Sequence, residues 1–164
     1  MQKLEKRWES RQDGLEPLTV TTSVAIAAPV EEIWAFLSDP RSAMLTSPNV
    51  IKAFAVPGTP EGEVGGQNCI IMNVGGRLSA HINEIVAVEA PHRLVTRWPT
   101  MATELLSTLL LTSDGHHSTL TYQVGLRIEQ GSRKKREPAI RESLDEELQR
   151  VRAGVESGAR FPTD

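Results

Sequence analysis

Side chains able to do chemistry are sparse in this sequence, and few share a spacing that a reaction needs. It contains no Gly-x-Gly-x-x-Gly, no Walker loop, no His-Glu-x-x-His and no Cys-x-x-Cys. His116 and His117 are adjacent, so on an extended chain they point to opposite faces and cannot serve one metal together. His92 follows Pro91 in a turn and reads as an ordinary surface residue. We therefore expect neither a metal nor a cofactor. Four polar residues inside otherwise apolar segments stand out. Glu84 shares alternation with Leu78, Ala80 and Ile82, and a carboxyl held on an apolar face has a raised pKa, so it could act as an acid in a pocket. A bend near Ile85 would instead turn it outward. Arg97 could pair with Glu84 or Glu104 on a neighbouring strand. Tyr122 is the best polar handle on an apolar row, its hydroxyl free to meet a ligand or to hydrogen-bond within the core. Asn68 has the parity of Ile70 and Met72, whereas His81 and Asn83 fall on the parity opposite Leu78 and are expected in solvent.

The elements that must position these residues follow from the periodicity. Residues 19–27 alternate with Val20, Val24 and Ile26 on one face, a half-buried strand. Val30, Ile33, Trp34 and Leu37 then line one side of a helix that Pro29 can open and Asp39-Pro40 ends. A second short helix or turn covers Arg41 to Ser47. Strands are expected over Val50–Val56, Gln67–Val74, Arg77–Val88, Arg93–Trp98, Glu104–Thr112 and Ser118–Ile128, with tight turns at Gly75-Gly76 and Asp114-Gly115. Broken alternation near Ile85-Val86 suggests a bulge. In residues 138–157, Ile140, Leu144, Leu148, Val151 and Val155 form one apolar stripe on a closing helix. The regular helix is expected to start near Pro138, or to kink there, because the cations of Arg133 to Arg136 oppose the dipole of a first turn.

Short turns make the sheet antiparallel, and the economical packing lays the helical stripe across its inner face. The fold class is thus α+β: a strongly curved seven-stranded antiparallel sheet wrapped around a long C-terminal helix, with two short helices after the first strand. Residues 1–18 read as an N-terminal extension, 19–157 as the domain and 158–164 as a tail. In the extension Leu4, Trp8, Arg11 and Leu15 recur at helical spacing, which suits either a short docking helix or a polar arm.

Composition bounds the rest. The 164 residues suit one domain, and 39% hydrophobic with 24% charged residues is the balance of a globular chain. A net charge of −3 argues against nucleic acid as a partner. The run Arg133-Lys134-Lys135-Arg136 has no interleaved aromatics and reads as a solvated face. One cysteine, Cys69, permits no intramolecular disulfide and reads as a small buried hydrophobe. No stretch has the length of a membrane span, and the charged N-terminus lacks the apolar centre of a signal peptide, so a cytoplasmic location is expected. With only three Phe, three Trp and one Tyr, the inner face is lined by medium-sized side chains that could leave space for a small molecule.

The stretch Ser23-Val24-Ala25-Ile26-Ala27-Ala28-Pro29-Val30-Glu31-Glu32-Ile33-Trp34-Ala35-Phe36-Leu37-Ser38-Asp39-Pro40 resembles the start of the START-like, or SRPBCC, superfamily, and within it the polyketide cyclase/dehydrase-like branch. Val88-Glu89-Ala90-Pro91-His92-Arg93-Leu94 resembles the strand–Pro–Arg–Leu turn of the same family. After Asp39-Pro40 the aromatic residue often seen before the second strand is lacking. The resemblance covers about residues 19–157 and implies a helix-grip fold with a cavity for a hydrophobic lipid, polyketide or aromatic metabolite. The expected wall is Ile70, Met72, Leu78, Ala80, Ile82, Glu84, Leu106, Tyr122 and Val124, capped by Leu144 and Leu148. The superfamily also implies two alternatives. One is a cyclase/dehydratase-type enzyme using Glu84, Tyr122 or Arg97; the other is a chaperone-activator-like domain with a protein partner. No residue set converges on a reaction, which favours binding.

Overall fold

The computed structural model describes residues 14–101, 103–159 and 161. Its elements are β1 (Leu15–Ile26), α1 (Val30–Ser38), α2 (Ser42–Thr46), β2 (Val50–Ala55), β3 (Gln67–Val74), β4 (Arg77–Glu89), β5 (Arg93–Trp98), β6 (Leu105–Asp114), β7 (His117–Glu129) and α3 (Arg133–Glu156). The strands form one antiparallel sheet in the order β1-β7-β6-β5-β4-β3-β2. Strands β2 to β7 are a plain meander, because short turns favour neighbouring pairing. β1 closes against β7, so β1 and β2 are the two edges. The α1–α2 connection must cross from one edge to the other, and α3 lies against the sheet's inner face. This is the expected helix-grip architecture.

One turn and one bulge set the register around β4. Gly75 and Gly76 both have positive φ, 58° and 81°, a conformation open to glycine at no steric cost. They pair Val74 with Arg77, which in turn sets Met72 opposite Ser79 and Ile70 opposite His81. The expected bulge is present: β4 slips by one residue between Ile85 and Ala87. The β2–β3 loop clamps onto this bulge, where Gly65 N donates to Ile85 O at 2.9 Å and Ile85 N donates to Gly66 O at 2.8 Å.

Two boundaries differ from expectation by four residues or more, the others by at most two. β1 begins at Leu15, because its ladder to β7 continues to the Leu15–Glu129 pair. Pro17 is tolerated there since β1 is an edge strand. Helix α3 begins at Arg133 and carries Pro138 inside it. Its cationic first turn is held by a tertiary contact that local rules omit, Arg133 donating to the Pro17 carbonyl at 3.2 Å. Further along, Arg141 donates to Thr21 O at 2.7 Å, Thr22 bonds Asp145, and Ala27 N donates to Glu156 at 2.9 Å. The helix thus covers polar groups that an edge strand would otherwise expose. The helical spacing read in residues 1–13 lies outside the described residues.

Three apolar clusters pack the interior. Ile26, Ile33, Leu120, Leu148 and Val151 join β1, α1, β7 and α3. Leu18, Val20, Val124 and Leu144 continue along the same helix. Val50, Ala53 and Ile70 form a third group with Met72 and Trp98. Helices α1 and α3 approach closely at Gly154, where a Cβ would sit 2.8 Å from the Phe36 ring. No described helix is long and apolar enough to cross a membrane.

Candidate functional site

The third cluster does not fuse with the first two, and the gap between them is a cavity of about 520 Å³. That volume is in the range of small-molecule sites. Its walls draw on all three clusters, with Ile70 from β3, Leu120 and Val124 from β7, and Leu144, Leu148 and Val151 from α3. Trp34 and Leu37 of α1 and Trp98 of β5 add aromatic and aliphatic surface. The lining is mostly apolar because β3 and β7 turn alternate hydrophobic rows inward and α3 adds its apolar stripe.

Besides hydroxyls from α1, α2 and α3, two polar groups stand out on this wall. Asn68 and Asn83 face each other across β3 and β4, with Nδ2 of Asn68 donating to Oδ1 of Asn83 at 3.1 Å. This leaves one amide oxygen and one NH₂ for another partner. The second group runs from sheet to helix. The Thr96 and Ser107 hydroxyls are 2.6 Å apart on paired strands, Tyr122 interacts with Ser107, and Glu147 of α3 acts on Tyr122. Burial pushes the Tyr122 phenol well above its ordinary value, the Glu147 carboxylate pushes it further, and Ser107 partly offsets both. Loss of water raises the Glu147 carboxyl to about 7, against a smaller lowering by Arg150. Glu147 makes no hydrogen bond or ion pair among the described residues.

Of the residues read from the sequence, Ile70, Met72, Tyr122, Val124, Leu144 and Leu148 come together on this wall, as does Asn68. Leu78, Ala80, Ile82, Glu84 and Leu106 do not. Leu78 is 67% exposed and Leu106 45% exposed. The reason is register. Directly paired residues share a face, so Ile70 and Met72 bring His81 and Ser79 inward and send Leu78, Ala80 and Ile82 outward. In the same way Tyr122 and Val124 bring in Leu109 and Ser107, and Leu106 faces out. Glu84 stands opposite Arg97, and the two form an ion pair at 3.2 Å away from the cavity. Asn83, expected in solvent, lines the cavity, and His81 is partly buried with Nε2 3.1 Å from Ser79 Oγ. At the end of α1, Asp39 pairs with Arg41 at 2.6 Å, and that hydrogen bonding holds its carboxyl below the usual range.

Sequence reasoning missed Glu147, Asn83, Thr96 and Ser107. A signal existed for Glu147: it lies three residues after Leu144 and four before Val151, which puts it on the helical stripe itself. A consequence follows for stability. With a folded pKa of about 7 against an ordinary 4.5, the native state binds the extra proton. This contribution is complete below about pH 4.5 and is lost as pH rises through about 7. Glu147→Gln is therefore expected to exceed the native protein in stability by on the order of 1–3 kcal/mol at pH 8, with the gap closing by pH 5. Urea unfolding at the two pH values measures it, and an equal difference at both would refute the assignment.

Comparison with known proteins places the chain in a family. A family profile described as "Polyketide cyclase / dehydrase and lipid transport" matches residues 17–156. The chain belongs to this family. No curated protein matches it in sequence. Among solved structures, a START superfamily protein from Mycobacterium smegmatis aligns with a TM-score of 0.72 at 13% identity, covering 87% of this chain and 99% of the other. Norcoclaurine synthase from Thalictrum flavum, in complex with dopamine and hydroxybenzaldehyde, aligns with a TM-score of 0.67 at 14% identity, covering 92% of both chains. The di-domain ARO/CYC BexL from the BE-7585A biosynthetic pathway gives 0.67 at 14%, covering 90% of this chain and 51% of that one. At these identities the likeness is one of fold, and the lining residues of this polyketide cyclase/dehydrase family member have to be read from its own side chains.

Proposed function

We propose that this protein binds a hydrophobic small molecule, such as a lipid, polyketide or aromatic metabolite, in the cavity between the sheet and α3. The observation that carries this reading is an apolar-walled space of about 520 Å³ bordered by a few convergent polar groups. Ile70, Met72, Tyr122, Val124, Leu144 and Leu148 are the proposed contacts. Affinity would come chiefly from apolar burial at about 25 cal/mol per Å². The family's association with lipid transport supports the reading. So does the norcoclaurine synthase complex, in which a related fold is found with two small aromatic compounds.

A neutral apolar fluorophore, N-phenyl-1-naphthylamine, tests it. Its emission should rise on mixing and fall when apolar metabolites compete. Met72→Trp, which adds bulk to the wall, should weaken the dye by at least about tenfold, or 1.4 kcal/mol, with little change in melting temperature. Absence of any dye or metabolite binding by the folded protein would reject the reading.

A second reading is favoured by Glu147 alone. A carboxyl that titrates near 7 beside a buried phenol is suited to general acid–base work on a bound carbonyl compound. In a cyclase/dehydratase-type enzyme Glu147 would carry the proton and Tyr122 would orient the substrate. Glu84 and Arg97, paired away from the cavity, would have no part in it.

A further inference from the structure

The cavity wall holds a single carboxyl group and no Lys, Arg or His among its described residues. Glu147 therefore sets the sign of the charge met by anything inside. We propose that Glu147 is the polar anchor of a ligand that is apolar along most of its length and ends in a protonated amine, and that the site discriminates against ligands ending in a carboxylate. This rests on the reading of the cavity as a ligand site and specifies which end group it accepts.

Three observations carry the argument. First, Glu147 lines the cavity and makes no hydrogen bond or ion pair among the described residues. Glu147 is half-buried, and a carboxylate with reduced access to water and no partner is costly, a cost that a cation or donor delivered by a ligand relieves. Second, the charged groups around it do not already neutralise it. From α3 it acts electrostatically on the Tyr122 phenol of β7, and the cavity-lining residues of α2, Ser42, Ala43 and Thr46, are uncharged. Arg150 on its own helix acts from a distance. That guanidinium lies off the cavity wall, 3.4 Å from the Thr46 carbonyl and 3.9 Å from Glu146. Third, a fatty-acid-like guest would bring a second negative charge beside the first with no cation on the wall to hold it, and like charges brought together out of water repel strongly.

The test compares three competitors of equal length, dodecylamine, dodecanol and dodecanoate, each displacing N-phenyl-1-naphthylamine from the intact protein at pH 8. The amine is expected to compete about tenfold better than the alcohol, and the carboxylate about tenfold worse, as a hydrogen-bonded charge pair implies. Glu147→Gln should bring the amine to within about threefold of the alcohol. In the native protein, lowering the pH to 6 should shrink the amine's advantage, because Glu147 takes up a proton there, while in the variant the ratio stays constant. An amine that binds no better than the alcohol to the native protein at pH 8 overturns the inference and leaves the ligand cavity standing. So does an amine preference that survives in Glu147→Gln. If neither the dye nor any of the three compounds binds, the cavity reading fails and the inference with it.

Discussion

Leu148→Ala is expected to lower the unfolding free energy by about 2–5 kcal/mol. Leu148 is 1% exposed, packs with Ile33, Leu120 and Val151, and forms part of the cavity wall. The truncated side chain would leave space continuous with a void that already exists. Neighbours on the cavity side have nothing to lean on, so the gap cannot collapse and the cost should fall toward the upper part of that range. Leu106→Ala is the matched control. Its side chain faces outward at 45% exposure, and removing it should change stability by no more than about 0.5 kcal/mol. Urea titration of both variants decides the matter. Near-native stability for Leu148→Ala would mean that the sheet does not grip α3 as described.

Gly66→Ala should cost about 1–3 kcal/mol or more, as overpacking does. A Cβ at this position would overlap the Pro60 carbonyl oxygen and approach the Glu63 carbonyl to 2.9 Å and Ile85 Cδ1 to 3.4 Å. Two of these three are backbone atoms, so no side chain can rotate away. Gly66 also joins the β2–β3 loop to the β4 bulge through the Ile85 N–H, and the neighbouring Gly62 and Ile85 line the cavity. The variant should therefore weaken dye binding as well as lower the melting temperature. Gly125 in β7 has nothing closer than the Leu106 carbonyl at 4.0 Å, and Gly125→Ala is expected to raise stability by about 0.4–1 kcal/mol through the unfolded chain. The two substitutions therefore have opposite signs, and thermal unfolding reads both.

Most of the fold was legible because its signals are local. Alternation in β7, with Leu120, Tyr122, Val124, Leu126 and Ile128 on one parity, identified the strand and its inward face together. The bulge near Ile85 and the stripe on α3 were legible for the same reason. The face of β4 was misread because Leu78, Ala80 and Ile82 are more apolar than Ser79, His81 and Asn83. The information that decides it was nonetheless present. A two-residue turn at Gly75-Gly76 pairs Val74 with Arg77, so an inward Ile70 requires an inward His81. Hairpin geometry outweighs the hydrophobicity of one strand face, since flipping it would break the whole ladder. Leu106 was misplaced by the same neglect of register: across the β6–β7 turn, Tyr122 selects Leu109.

What the order of residues determined by itself was the class of architecture, seven antiparallel strands and a long amphipathic helix, because periods of two and of nearly four are properties of neighbouring residues. Whether those surfaces meet or stand apart depends on side-chain volumes summed across the sheet, both short helices and α3, and no local pattern contains that sum. The open volume and its boundary thus emerge only when the chain is folded. The same holds for Glu147. Its place on the apolar stripe of α3 was legible, but only the packing of that helix against the sheet half-buries it on the cavity wall and raises its carboxyl.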